Sequence, residues 1–103
     1  MNWEVEFIDE AVRDMRKLDG SQRALVLKAI EKVKRDPTAE GYGKPLGNKG
    51  GADLVGLFKI KLRKGGIRVV YQLVEIDGVM RIVVVGMRTD DGVYREAARR
   101  LGR

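Results

Sequence analysis

The sequence contains neither cysteine nor histidine in its 103 residues. Without cysteine, a disulfide framework and a thiolate metal site are both excluded. Without histidine, the chain lacks the usual general base, the usual zinc ligand and every Ser-His or Cys-His nucleophile pair. Any catalysis must therefore depend on Lys, Arg, Tyr, Asp or Glu, and we expect no metal site and no cofactor.

Long apolar runs are missing as well. No apolar stretch approaches the roughly 18 residues that a membrane-spanning helix requires. The first residues, Met1 to Glu4, do not form a basic segment followed by an apolar run, so they do not resemble an export signal. We therefore expect a soluble, cytoplasmic protein that has no membrane partner.

Positive charge is what the chain has in excess. Lys and Arg number 21 against 15 Asp and Glu, which gives a net charge of +6 at pH 7. This balance favours a polyanionic partner, most often a nucleic acid, with an acidic protein as the alternative. Hydrophobic residues make up 44% of the sequence, enough for one modest core, so we predict a single domain over residues 1–103.

The first 36 residues predict a strand followed by two helices. Residues 3–7 alternate apolar and acidic side chains, as in a half-exposed strand. Helical spacing then predicts a first helix with Asp14 among its outward residues, and a second that begins after Asp19 and stops near Asp36 because Pro37 follows. The inward residues are expected to be Ile8, Ala11, Val12, Met15 and Leu18 in the first helix, and Val26, Ala29, Ile30 and Val33 in the second.

The segment 37–53 lacks periodicity and is rich in glycine. Its glycines form no nucleotide-binding fingerprint, because no Gly-rich turn is followed by Lys-Ser or Lys-Thr and a helix. We interpret them as a source of flexibility. Long loops without structure of their own are either functional or disordered, so Lys44 and Lys49 are candidate phosphate contacts.

Three strands are predicted next, over residues 54–63, 67–75 and 79–88, with turns at 64–66 and at Asp77-Gly78. The apolar run 82–85 indicates a central strand that is covered on both faces. A closing helix is predicted to begin near 89–91 and to continue to Leu101. The fold class is therefore α+β: an N-terminal strand and a helix hairpin packed on a mostly antiparallel four-stranded sheet, with a C-terminal helix.

The first two strands of this meander separate apolar from cationic side chains, because successive residues of a strand point to opposite faces. The apolar face is predicted to hold Phe58, Ile60, Leu62, Ile67, Val69, Tyr71 and Leu73. The opposite face is predicted to hold Lys59, Lys61, Arg63 and Arg68. Like charges side by side destabilise a sheet unless an anion binds there, which favours a site. The alternative is the solvated face of a half-buried hairpin.

The element order resembles the RelE family of bacterial toxins, which are ribosome-dependent messenger-RNA endonucleases. The resemblance covers nearly the whole chain and is carried by the segments 58–63, 68–71 and 85–88, with Tyr94 six residues after Arg88. It implies the toxin of a type II toxin-antitoxin system, a metal-independent endoribonuclease that cleaves mRNA in the ribosomal A site. It also implies a cognate antitoxin as partner, and contact with operator DNA mainly through the complex with that antitoxin.

The same resemblance assigns catalytic roles to five residues. Lys61 is implied as the general base, and Lys59 assists at the phosphate. Arg68 holds the scissile phosphate. Arg88 acts at the leaving oxygen as an acid or an electrostatic stabiliser, and stabilisation is favoured because a guanidinium gives up a proton only with difficulty. Tyr94 stacks on a displaced base. Three further residues are expected to contact RNA, namely Arg63, Lys44 and Lys49.

Two other functions are compatible with this sequence. A ParE-like relative would have the same fold and would poison DNA gyrase by binding it, without cleaving RNA. A catalytically inactive module would only bind RNA or its antitoxin. The combination of Arg88, Tyr94 and the Lys-x-Lys-x-Arg strand favours the nuclease.

Overall fold

The computed structural model describes residues 3–47, 53–87 and 92–103, which form three helices and one mixed sheet. In chain order the elements are β1 (Glu4–Phe7), α1 (Asp9–Arg16), α2 (Gly20–Val33), β2 (Lys44–Pro45), β3 (Leu57–Leu62), β4 (Ile67–Val74), β5 (Val79–Met87) and α3 (Gly92–Arg100). The strand order is β1-β5-β4-β3-β2. Only the β1–β5 pairing among these strands is parallel. The predicted α+β class is confirmed.

Local sequence explains where several elements begin and turn. At the start of α2, the Asp19 carboxylate accepts a hydrogen bond from the Gln22 backbone at 2.8 Å, while the Gln22 side chain accepts one from the Asp19 backbone at 2.9 Å. These bonds satisfy amides that a helix start leaves without partners. The bond from the Gln22 backbone, followed by one from the Ser21 hydroxyl, also lowers the pKa of Asp19. Between β3 and β4, Gly65 has a φ of 83°, a conformation that disfavours side chains.

The sheet separates two hydrophobic clusters. On one side, which we call the α1/α2 face, α1 lies against β5 and α2 against β3. All seven strand residues that were predicted to be apolar belong to this cluster or pack against it. On the other side, the α3 face, helix α3 covers β4 and β5. No helix within the described ranges is long and apolar enough to span a bilayer.

Strand β5 contains a bulge that changes which side chains face α3. Tyr71 pairs with Ile82 whereas Val70 pairs with Val84, so Val83 is an extra residue in the ladder. As a result Val83 and Val84 both join the α3 cluster, and Val85 returns to the α1/α2 cluster. The run 82–85 is buried on both faces, as predicted.

Two details of the predicted helices and sheet are wrong. In α1, Asp14 is buried at 8% exposure and Val12 is 37% exposed, the reverse of the prediction, because Asp14 forms a buried ion pair that is described below. The sheet has five strands rather than four, since Lys44–Pro45 pairs with β3. The core residues predicted for α2 do lie inward: Val26, Ile30 and Val33 are buried, and Ala29 packs against them.

The part of the glycine-rich segment that precedes β2 is compact, so the interpretation of its glycines as flexibility is wrong there. The Tyr42 backbone donates to the Asp36 carbonyl at 2.8 Å, and the Gly43 backbone donates to the Thr38 carbonyl at 2.9 Å. A β-carbon on Gly43 would collide with the carbonyl oxygen of Pro37. Glycine is therefore required here by close backbone approach.

Tyr71 joins this compact segment to the sheet. Its buried hydroxyl donates a hydrogen bond to the Pro37 carbonyl at 2.8 Å, and its ring stacks on Phe58 with the centroids 5.3 Å apart. Burial raises the pKa of this hydroxyl, so it remains a donor at neutral pH. The contact fixes the start of the segment that leads into β2.

Tyr71→Phe is expected to lower the free energy of unfolding by about 1–2 kcal/mol, because it leaves the Pro37 carbonyl without its donor. Urea denaturation measures the change. The matched control is Tyr42→Phe, whose ring is 45% exposed, and it should stay within about 0.5 kcal/mol of wild type. Equal losses of unfolding free energy in the two variants would show that the hydrogen bond from Tyr71 to Pro37 does not stabilise the fold.

Candidate nucleic-acid interface

Strand register brings four cations together on the α3 face of the sheet. Lys61 lies directly opposite Arg68 across β3 and β4, and Lys44 lies directly opposite Lys59 across β2 and β3. Residues opposite each other in an antiparallel pair have β-carbons roughly 4.5–5.5 Å apart and share a face. We call these four residues the cationic patch.

The four residues of the patch differ in their exposure to solvent. Lys44 and Lys61 are exposed, while Lys59 and Arg68 are half-buried. One Arg68 Nη atom donates to the carbonyl of Ile67 at 3.3 Å. Such an array can bind a phosphate and the extra negative charge that develops on it during cleavage.

Helix α3 borders the patch because of a glycine. Gly86 is the register partner of Arg68 on β5. A β-carbon on Gly86 would lie 3.2 Å from Cγ2 of Val93, which is tighter than ordinary packing. The lack of a side chain at residue 86 thus lets the first turn of α3 pack closely against β5 at the edge of the patch.

The other predicted site residues are distributed differently. Arg63 is exposed and lies in the turn after β3, beyond the paired residues of the strand. Lys49 and Arg88 lie outside the described residues, as does the predicted helix start at 89–91. Their assignments stay predictions.

Tyr94 lies in α3 and is 6% exposed, within the hydrophobic cluster of the α3 face. At this exposure the ring is not accessible to a nucleobase in the structure. Its role in stacking on a base likewise stays a prediction.

A buried ion pair that the sequence argument missed joins α1 to α3. Arg100 binds the Asp14 carboxylate through both terminal nitrogens, at 2.6 and 3.0 Å, and each side chain is only 9% exposed. The pKa of Arg100 is raised, chiefly by the hydrogen bond to Asp14. The available signal was the position of Asp14 between Ala11 and Leu18, which is an inward position of the helix.

Further ion pairs extend this contact. Glu96 accepts from Arg99 at 2.6 Å and from Arg100 at 2.8 Å, and Arg99 also reaches Glu10 of α1 at 2.7 Å. The hydrogen bond from Arg99, supported by the one from Arg100, lowers the pKa of Glu96 to about 2. The last turn of α3 is thus fixed to α1 by charge, whereas its first turn is fixed to the sheet by packing.

The fold and the patch define a small α+β protein with a cationic sheet surface suited to a phosphate backbone. The chain is 33% identical to the mRNA interferase toxin RelE of Escherichia coli K12, an alignment that covers 98% of this chain and 99% of the relative. The chain belongs to the RelE family of toxins. No family model matches it.

Solved structures show the same relationship. A free E. coli RelE toxin carrying two arginine-to-alanine substitutions superposes with a TM-score of 0.79 at 28% identity, covering 98% of this chain and 99% of that one. The toxin–antitoxin complex RelBE of E. coli contains a chain that matches with a TM-score of 0.67 at 28% identity, covering 84% and 98%.

Glu96→Gln should destabilise the fold at neutral pH by an amount that disappears in acid. The folded-state pKa of Glu96, about 2, lies below its ordinary value near 4.5. The charged carboxylate therefore contributes stability above about pH 4.5, and this contribution is lost as pH falls towards 2. Urea denaturation across this range measures the difference between variant and wild type. A difference that does not depend on pH would refute the ionic origin. Glu31→Gln, which breaks an exposed pair with Lys34, serves as the control.

Lys61→Gln is expected to raise the free energy of unfolding by roughly 0.2–1 kcal/mol at low ionic strength, because it relieves repulsion with Arg68. Salt should reduce the gain, since exposed charges are screened over about 10 Å at 0.1 M. Lys28→Gln, an exposed site on α2, makes the same change in net charge away from the patch. If Lys28→Gln stabilises equally, net charge and not the patch is responsible.

Proposed function

We propose that this chain is the toxin of a type II toxin-antitoxin system and cleaves messenger RNA in the ribosomal A site. The observation that carries the proposal is the pairing of Lys61 with Arg68 beside Lys44 and Lys59, in a chain that aligns over its full length with an mRNA interferase toxin. The patch offers positive charge where a bent RNA backbone would present its phosphate.

RNA cleavage needs little more than such a surface. The RNA supplies its own nucleophile, the 2′-hydroxyl, so the enzyme must accept a proton from it, stabilise the charged phosphorane and assist departure of the 5′ oxygen. The 2′ oxygen forms a bond to phosphorus as the bond to the 5′ oxygen breaks, and the departing 5′ oxygen takes up a proton from water. The products are a 2′,3′-cyclic phosphate, or the 3′-phosphate formed on its opening, and a 5′-hydroxyl.

The patch residues divide these tasks in our proposal. Lys61 accepts the proton from the 2′-hydroxyl, because it is an exposed lysine of the patch and lies directly opposite the arginine that holds the phosphate. Arg68 lies directly opposite Lys61, and its planar guanidinium suits the equatorial oxygens of the phosphorane. Lys59 is the diagonal neighbour of Arg68, roughly 7–8 Å away across the strands, and assists at the same phosphate.

The remaining residues surround this centre in the proposal. Arg88 stabilises the 5′ leaving oxygen, and Tyr94 stacks on the base beside the scissile bond, as unpaired bases do on aromatic rings. Arg63, Lys44 and Lys49 contact flanking phosphates. Lys44 is favoured by its position opposite Lys59. Because these acids and bases are weak, cleavage depends on the ribosome to hold the RNA in an in-line geometry.

The antitoxin is the second partner in the proposal. The RelBE structure from E. coli is a toxin–antitoxin complex of a chain with the same fold. With a net charge of +6, this chain attracts an acidic partner segment, which would neutralise the patch and compete with RNA. Contact with operator DNA would then occur mainly through that complex.

The test is to add the purified chain to ribosomes programmed with a defined messenger and to map new 5′ ends by primer extension. Arg68→Ala should lower the rate of cleavage roughly 100- to 1,000-fold, the usual loss when a group that stabilises transition-state charge is removed. Lys28→Ala removes one cation from α2 and should cleave at the wild-type rate.

Cleavage should appear in the A-site codon only when ribosomes are present, and free RNA should be cut poorly. Intact messenger in every reaction would overturn the proposed activity, and inhibition of DNA gyrase by the same preparation would then identify the alternative function. Equal losses in Arg68→Ala and Lys28→Ala would show that the effect is general electrostatics and does not arise at the patch.

A further inference from the structure

Among the residues that the structure describes, none forms a strand beside the last part of β5 on the side where β1 pairs with its first part. Its parallel pairing with β1 runs from Val79 to Ile82, and after Phe7 the chain turns into α1. The backbone of β5 beyond Ile82 must therefore find other partners on that side, because a buried amide or carbonyl without a hydrogen bond is costly.

The ion pair between α1 and α3 provides those partners. The Val85 backbone donates a hydrogen bond to Oδ2 of Asp14 at 2.9 Å, and an Arg100 terminal nitrogen donates to the Val83 carbonyl at 2.9 Å. The same nitrogen binds Oδ2 of Asp14 at 2.6 Å. Carboxylate and guanidinium thus form a closed ring with the two backbone groups that flank Val84.

This ring fixes the bulge. Val83 is the extra residue in the ladder, and the ring holds its carbonyl together with the amide two residues later. The bulge determines on which face each later side chain of β5 lies, because one residue more or less in a strand moves every following side chain to the opposite face. With the bulge, Gly86 is the partner of Arg68. Without it, the same face would receive Val85 or Met87, whose side chains would occupy the space between Arg68 and Val93.

We infer that Asp14 is a positioning residue for RNA cleavage: through Arg100 and the β5 backbone it holds the bulged register that keeps the Arg68 edge of the patch open. It touches neither RNA nor the reacting atoms in this scheme. The inference rests on the proposed function and extends it to a residue on the opposite side of the sheet from the patch.

The experiment compares Asp14→Ala with Asp14→Asn in the programmed-ribosome assay, with rates normalised to the folded fraction of each variant. Asp14→Ala should lower kcat roughly 10- to 100-fold, the scale of a misplacement near 1 Å, and leave KM within about twofold, because the patch cations remain. Asp14→Asn keeps an oxygen that accepts from Val85, so it should recover part of the lost kcat.

Amide hydrogen exchange of Val85 gives a second measurement that requires no activity. Its N–H bonds directly to Asp14, so its exchange should accelerate in Asp14→Ala far more than that of Val69 in the neighbouring strand. Glu6→Ala is the matched control, because it breaks an exposed ion pair with Arg81 at the opposite end of β5. It should leave kcat and the exchange of Val85 at wild-type values.

A folded Asp14→Ala variant with wild-type kcat, or one whose loss lies only in KM, would overturn the inference while cleavage by wild type stands. Unchanged exchange of Val85 would overturn it as well. If wild type and Glu6→Ala both fail to cleave, the proposed function fails, and the positioning role fails with it.

Discussion

The contact between Asp14 and Arg100 is the constraint on which much of this fold depends. It connects α1, β5 and α3, and it replaces a strand along the β5 edge that β1 leaves uncovered. Losing one member of a buried ion pair costs about 3–5 kcal/mol, because the other charge stays buried without a partner. A well-packed apolar pair would be equally stable in many proteins. An apolar pair could not form hydrogen bonds with the Val83 carbonyl and the Val85 amide. The polar pair therefore favours one register of β5 against β4.

The cationic patch has the opposite energetic character. Lys61 beside Arg68 and Lys44 beside Lys59 are like-charged pairs, which weaken the sheet that carries them. The strands tolerate this because hydrophobic clusters lie on both faces of the sheet. The core and the α1–α3 ion pairs thus stabilise the fold, whereas the cationic patch destabilises it.

The sequence predicted features that depend on short-range patterns. Alternation along the strands was sufficient to predict that Ile60 and Val69 lie on one face of the sheet and that Lys61 and Arg68 lie on the other, because side chains in a strand repeat every two residues. Features that depend on distant partners were not predictable in this way. Asp14 occupies an inward position of α1, but the sequence does not identify Arg100 as its partner, and four consecutive β-branched residues do not indicate where a bulge lies. β2 was missed because two residues carry no periodicity.

The distance along the chain between the members of the ion pair has a consequence for biosynthesis. Asp14 and Arg100 are 86 positions apart, whereas β3, β4 and β5 follow one another directly. Contacts between close neighbours in sequence close the shortest loops, so pairing the strands of the meander costs less chain entropy than joining Asp14 to Arg100. During translation α1 is made early and must wait until residue 100 has left the exit tunnel. The contact that holds the end of β5 can therefore form only after all three strands of the meander have been synthesised.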